Sequence, residues 1–213
     1  MKSLSRRDVI VLVADSNMEA ALRGLLSRHE ALGIRMIDAQ ILRHPQRDSG
    51  CCKGGVDFLS AFTNQFEYAW LMFDREGCGQ DEQTPADLEE RIEERLSHSG
   101  WRGRAKTLVL DPELETWVWS ESPHVAQCLG WDNESVPLRQ WLADRGYLRT
   151  GQAKPERPKE ALEAALYCSR TPRSSAIYRH LAETVSLRGC TDRAFLKFTS
   201  VMQLWFTVHA TSM

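Results

Sequence analysis

Three short runs of aliphatic and aromatic residues, each followed at once by an acidic turn, constrain this chain more than any other feature. Asp8-Val9-Ile10-Val11-Leu12-Val13-Ala14 runs into Asp15-Ser16-Asn17, Tyr68-Ala69-Trp70-Leu71-Met72-Phe73 into Asp74-Arg75-Glu76-Gly77-Cys78-Gly79, and Thr107-Leu108-Val109-Leu110 into Asp111-Pro112-Glu113-Leu114-Glu115. None shows helical spacing. Runs this apolar and this short fit strands covered on both faces, the condition of a parallel sheet. Between them the spacing becomes helical. Met18, Ala21, Leu22, Leu25, Leu26 and His29 recur on one face up to Gly33, and Thr84-Pro85-Ala86-Asp87 supplies a capping hydroxyl, a proline and a carboxylate ahead of the stripe Leu88, Ile92, Leu96. Strands alternating with helices at this distance predict βαβ units.

The intervening stretches are weaker in pattern. Ile34 to Ile41 alternates loosely and predicts a second, less buried strand, whereas Arg43 to Gly55 is dense in breakers and predicts a loop followed by a short helix from Val56 to Phe66. Glu89, Glu90, Arg91, Glu93, Glu94 and Arg95 predict a solvated helix face. With 213 residues, 42% hydrophobic and 26% charged, the chain has material for one sizeable core or a core plus a small helical lobe. No window is apolar enough for a membrane helix, and Met1-Lys2-Ser3-Leu4-Ser5-Arg6-Arg7 lacks a signal-peptide pattern, which predicts a cytoplasmic protein with no membrane partner. The six cysteines form no Cys-x-x-Cys pair, so neither a zinc ribbon nor a disulfide framework is expected.

The chemistry is expected where the strands end. In open α/β sheets ligands bind beyond the carboxyl ends of the strands, and Asp74 and Glu76, followed by two glycines, offer hard oxygen ligands on a loop that a substrate can approach. A divalent cation, Mg2+ or Mn2+, is the expected guest. Asp15 and Glu19 could face the same space, or serve as a helix cap and a dipole partner. Glu113 and Glu115, two positions apart, cannot share a helix face, so one of them is expected to join the cluster, with Glu115 favoured and Glu113 the remaining candidate ligand. His44 with Cys51 or Cys52 lacks the second spaced pair that a metal site needs. Trp117 and Trp119 are expected in the core or an interface.

These residues carry a resemblance. The strand ending in Asp15-Ser16-Asn17-Met18-Glu19, the strand ending in Asp74-Arg75-Glu76, and Glu113-Leu114-Glu115-Thr116-Trp117 resemble the three acidic motifs of the TOPRIM-like families over roughly residues 8 to 120. The chain is also similar to accessory proteins of bacterial antiviral defence systems, including methylation-associated ones. The resemblance implies a TOPRIM- or Rossmann-like sheet, magnesium held by the acids, and Asp15 at the place of the family's first Glu. Asp15, Ser16 and Met18 stand where the family has Glu, Gly and Thr.

The remainder predicts helices at Val125 to Leu129, Leu138 to Leu142, Lys159 to Ser169, Ser175 to Leu187 and Asp192 to Phe206, with Gly151 to Pro158 as a linker. From Arg139 to Thr199 there are 12 Lys or Arg against 6 Asp or Glu, a balance of +6 that leaves -8 for the rest of a chain whose total is -2. An acidic part joined to a basic part suits a polyanion, and Lys154, Arg157, Lys159, Arg170 and Arg173 are the candidate phosphate contacts. The resulting expectation is an α/β protein with about four mostly parallel strands, a core over residues 1–122 and a basic helical region over 123–213. Its expected function is that of a metal-dependent nucleic-acid phosphodiesterase, or an inactive relative of one, in a defence or DNA-processing system. In that scheme Asp74 and Glu76 hold the cation, Glu115 helps orient it, and Asp15 or Glu19 handles a proton or a second ion. The alternative is a non-catalytic subunit that binds DNA or another defence-system protein.

Overall fold

The computed structural model describes residues 6–80 and 82–208; the lead-in Met1 to Ser5 lies outside the described residues. β1 (Arg7–Val13) is followed by α1 (Ser16–Leu26) and a single turn, α2 (His29–Leu32); β2 (Ala39–Arg43) by α3 (Arg47–Ser60); β3 (Phe66–Asp74) by α4 (Pro85–Leu96); and β4 (Ala105–Leu110) by a 3-10 turn at Leu114–Trp117. Then come α5 (Pro123–Cys128), α6 (Leu138–Asp144), α7 (Pro158–Cys168), α8 (Ser175–Thr184) and α9 (Arg193–Trp205). The strands form one sheet in the order β2-β1-β3-β4, parallel throughout. This is the α/β class, with the mainly parallel four-stranded sheet, that the apolar runs predict.

β1 lies inside the sheet, with Val11 opposite Ile41 on one side and Trp70 on the other, and its Val9 to Val13 run is buried. The chain passes outward from β1 to β2 and then back across β1 to β3. Right-handed crossovers in opposite directions put α1 on one face of the sheet and α3 and α4 on the other. The packing agrees: α3 lies against β1, β3 and α4, while α1 lies against α8, and α9 against β4. The direction of travel reverses between β1 and β3, which opens a crevice at their carboxyl ends.

Local chemistry sets the elements. Asp15 caps α1, its Oδ1 accepting the amides of Asn17 and Met18, both at 2.9 Å. Gly24 lets α1 meet α8 closely, since a Cβ there would come within 2.6 Å of the Arg179 carbonyl and 2.8 Å of the Ala182 Cβ. Asp192 caps α9 through the Phe195 amide at 3.0 Å and also accepts the Trp117 indole at 2.9 Å, which ties the 3-10 turn to the last helix. Trp117 packs edge-on against Phe195, and Trp119 is buried with its indole donating to the Pro158 carbonyl at 2.9 Å, so both are core aromatics as expected. All six cysteines are free thiols. Among the described residues no helix is long and apolar enough to cross a membrane.

Several local expectations are corrected. The second strand begins at Ala39, not Ile34, which instead forms an isolated bridge to Thr207. The breaker-rich loop is mostly helix α3: a Cβ at Gly55 would stand 2.7 Å from Leu71, so Gly55 seats the helix on the sheet. After β4 the helical turn begins at Leu114, beyond the cis Asp111–Pro112 peptide. Lys154, placed in a solvated linker, has its Nζ 3.7 Å from Asp192.

The charged face of α4 is not wholly solvated either. Glu89 is buried, and its Oε1 accepts the Val109 amide at 2.9 Å, while Glu93 accepts the Thr107 amide at 3.1 Å. These two side chains occupy the open edge of β4. Arg193 and Lys197 of α9 pair with Glu89, and Lys197 and Lys106 with Glu93, which compensates the buried charge.

Candidate active site at the carboxyl edge of the sheet

Asp74 closes β3 beside the crevice. Its Oδ1 is fully buried and has no hydrogen-bond partner. Burial pushes the Asp74 carboxyl well above the ordinary carboxylate range, and the charges of Asp48, Glu115, Asp15 and Glu113 push it further. Asp48 stands in the first turn of α3, and its Oδ1 accepts the Asp74 amide at 2.9 Å. Burial raises the Asp48 pKa as well, against the backbone hydrogen bonds that lower it.

Glu113 and Glu115 both reach this region, each with a dedicated partner. Glu113 is buried, accepts the Lys159 amide at 2.9 Å and lies 3.7 Å from the Lys159 ammonium. Burial, followed by the charge of Glu115, pushes the Glu113 pKa up to about 7 despite Lys159. Lys159 is itself partly desolvated, yet Glu113, Glu115 and Glu76 hold its pKa above the usual value. Glu115 is buried, with Oε1 accepting both Arg173 at 2.7 Å and the Tyr178 hydroxyl at 2.5 Å. Burial and the neighbouring Glu115 raise the Tyr178 pKa, so this phenol stays protonated as the donor.

Beside Asp15 opens a cavity of about 800 Å³, with Glu19, Arg43, Arg47, Lys159 and Arg173 also in its wall; Asp48, Asp74, Glu113 and Glu115 do not line it. Arg47 holds a left-handed backbone (φ 51) where β2 turns into α3. A non-glycine residue there costs on the order of 1 kcal/mol, a strain that recurs at ligand sites. His44 also lines the cavity, but its role is structural: its Nδ1 accepts the Gln46 amide at 3.1 Å, and burial lowers its pKa. Its ring lies so close to Gly50 that no side chain fits at that position.

The sequence-predicted residues divide as follows. The charges of Asp15, Glu113 and Glu115 all act on Asp74, as does that of Asp48, which sequence reasoning placed in a loop and whose carboxylate accepts the Asp74 amide. Glu76 is exposed, and its charge acts on Glu113 and Lys159, so the acid beside Asp74 is Asp48 and not Glu76. Glu19 does not join: it pairs with Arg23 at 2.7 Å and with Arg43 at 3.1 Å. Glu115 is held by Arg173 and Tyr178 and is unavailable as a simple metal ligand. Lys159 and Arg173, predicted as backbone-gripping surface cations, are instead the counter-charges of the acids. Arg157 and Arg170 are exposed and carry no ion pair among the described residues.

Lys159 and Arg173 pair with Glu113 and Glu115, whereas Asp74 has no cationic partner among the described residues, and its raised pKa favours the protonated form. Among the described residues no group of three or more His, Cys, Asp or Glu side chains is already drawn together as a metal cage. No protein-family model, curated protein or solved structure matches the chain.

Proposed function

We propose that this protein is a divalent-cation-dependent phosphodiesterase acting on nucleic acid, with its centre at Asp74 and Asp48. The observation that carries this reading is the Asp74 Oδ1, a buried carboxylate oxygen with no donor, at the crevice where a parallel sheet takes its ligands. The residues present fit magnesium. That ion is commonly held by one or two carboxylates, keeping waters and taking its remaining ligands from substrate phosphate, so a preassembled cage of three acids is not required.

When bound, the cation would polarise a phosphoryl oxygen and lower the pKa of a bound water. The chain's own groups do the rest. Arg47, and Arg43 beside its partner Glu19, line the cavity where a phosphate would enter, while Lys159 and Arg173 in the same wall hold Glu113 and Glu115. Asp15, fixed by two amide hydrogen bonds, would orient the attacking water. Glu113, whose pKa of about 7 matches neutral solution, would exchange the proton. The TOPRIM resemblance and a place in a defence system belong to this proposal, with Asp48 taking the position expected of Glu76.

One observation favours a second reading: Glu115 and Glu113 are already neutralised by Arg173 and Lys159. A scaffold that keeps the fold but binds DNA or a partner protein without cutting would look like this. Calorimetric titration of Mg2+ and Mn2+ into the parent and Asp74→Asn proteins separates the two, combined with cleavage assays on single- and double-stranded DNA and RNA. Metal binding and metal-dependent cleavage by the parent, both lost in Asp74→Asn, are expected. A parent protein that neither binds metal nor cleaves any of the four substrates overturns the enzyme reading in favour of the scaffold.

A further inference from the structure

A second cavity, of about 630 Å³, opens on the side of the molecule where α1, α8 and the 3-10 turn meet. Its walls are apolar: Leu25 from α1, Leu114 and Val118 from the turn, Leu181 and Val185 at the end of α8, and Phe195 from α9. This volume lies within the range of about 300–1,000 Å³ typical of small-molecule sites. An apolar space of this size filled only by water forfeits both packing and hydrophobic burial. The segment from Ser186 to Thr191 forms one side of the mouth and turns at Gly189, whose φ is 77.

The mouth carries charge. Lys154 and Arg188 line it with the acid Glu121, and Asp192 stands beside Lys154 as its counter-charge. Arg188 is exposed and has no ion pair among the described residues, while the Lys154 ammonium stands 3.7 Å from Asp192. The Phe195 amide and the Trp117 indole both bind Asp192 Oδ1, so Lys154 serves its Oδ2, and Arg188 is the cation at the mouth left for a ligand anion. The site therefore combines a hydrocarbon-lined interior with a cation at the entrance.

We infer that this cavity binds an amphipathic monoanion of the alkyl-carboxylate class, its chain among Leu25, Leu114, Val118, Leu181, Val185 and Phe195 and its carboxylate at Arg188. The cavity is separate from the acidic crevice, and the inference holds whether or not that crevice cuts phosphodiesters. The two are neighbours through Tyr178, which lines this cavity and donates its hydroxyl to Glu115.

The test is calorimetric titration of the whole protein with hexanoate, octanoate and decanoate below their micellar concentrations, and with alkyltrimethylammonium ions of the same lengths. Affinity is expected to rise about fourfold per added methylene until the cavity is full. The carboxylates should bind about tenfold more tightly than the ammonium ions. Arg188→Glu, an exposed change, should remove that preference while leaving the chain-length dependence. Ser186→Trp, also at an exposed position, should block the mouth and abolish binding of every chain. Affinity that is absent or flat with chain length overturns the site, and equal binding of carboxylates and ammonium ions overturns the assignment of its ligand class.

Discussion

Asp74 keeps one carboxylate oxygen without a donor at a depth that solvent does not reach, and Asp48, Asp15, Glu113 and Glu115 all disfavour its charge. Its folded-state pKa is raised, so the folded protein holds the proton more tightly than the unfolded chain; the stability this gives is present at low pH and is lost as pH rises through the folded pKa. Asp74→Asn keeps the shape and removes the charge. It should stabilise the fold at pH 8 without metal by on the order of 1–3 kcal/mol, seen as a higher melting temperature, and abolish the further rise expected of the parent in millimolar Mg2+ or Mn2+. Differential scanning calorimetry with and without metal checks both, and a variant less stable than the parent at pH 8 refutes the account. Glu113 obeys the same sign in a defined window: stability should fall by on the order of 2 kcal/mol as pH rises from about 4.5 to about 7, and Glu113→Gln should flatten that interval in a urea-melt series. At this scale the sequence was partly legible. Asp15, Asp74, Glu113 and Glu115 follow apolar runs and so could be placed at the strand ends. Asp48 could not, because its position depends on α3, and Glu76 was misassigned because the turn at Gly77 carries it outward.

Elements whose sequence pattern is weak owe their form to packing. Gly50, Gly54 and Gly55 lower helix propensity, so Arg43 to Gly55 resembles a loop, yet α3 forms because Gly55 lets it sit flush on Leu71 of β3 and Cys51, Cys52, Val56 and Leu59 are buried. The same logic can be tested at Gly24, where two opposing effects predict different signs. Helix propensity alone makes Gly24→Ala stabilising by about 1 kcal/mol, whereas a methyl 2.6 Å from the Arg179 carbonyl forces α8 away and costs about 1–3 kcal/mol. Net destabilisation is expected, read as a lower urea midpoint with an unchanged slope. Glu89 and Glu93 teach a related lesson. A helical face of alternating Glu and Arg normally predicts solvent, and nothing local shows that β4 would be an edge strand needing its amides covered. Glu89→Ala leaves the Val109 amide and the Arg193 side chain without their carboxylate and Lys197 with Glu93 alone, and should cost about 3 kcal/mol. Arg193→Ala, which removes a half-exposed partner while Lys197 remains, should cost clearly less in the same melts.

Over the whole molecule, the basic part and the acidic part are not two surfaces side by side but two halves of one site. Lys159 at the start of α7 and Arg173 ahead of α8 reach Glu113 and Glu115 after β4, so part of the +6 balance of the C-terminal region is spent on folding and is not free for a ligand. This was illegible in the sequence because the pairs span 46 and 58 residues, far beyond any local pattern. It also changes which substitutions can report on nucleic-acid binding. Lys159→Ala/Arg173→Ala strands two buried carboxylates and should destabilise the fold by about 2–4 kcal/mol at pH 8, less at pH 5, where Glu113 is protonated. Any loss of binding in that variant is therefore confounded with stability. Arg157 and Arg170 are exposed and without ion pairs among the described residues, so Arg157→Ala/Arg170→Ala should alter stability by no more than about half a kcal/mol. If both touch a phosphate backbone, the slope of log affinity against log salt should drop by roughly two units, equally for different base sequences. Fluorescence-anisotropy titrations of labelled single- and double-stranded oligonucleotides at several salt concentrations measure that slope. An unchanged slope in a variant that melts with the parent removes Arg157 and Arg170 from the interface. A parent with no salt-dependent binding leaves the basic helices as a protein-docking face, and the scaffold reading then gains over the enzyme.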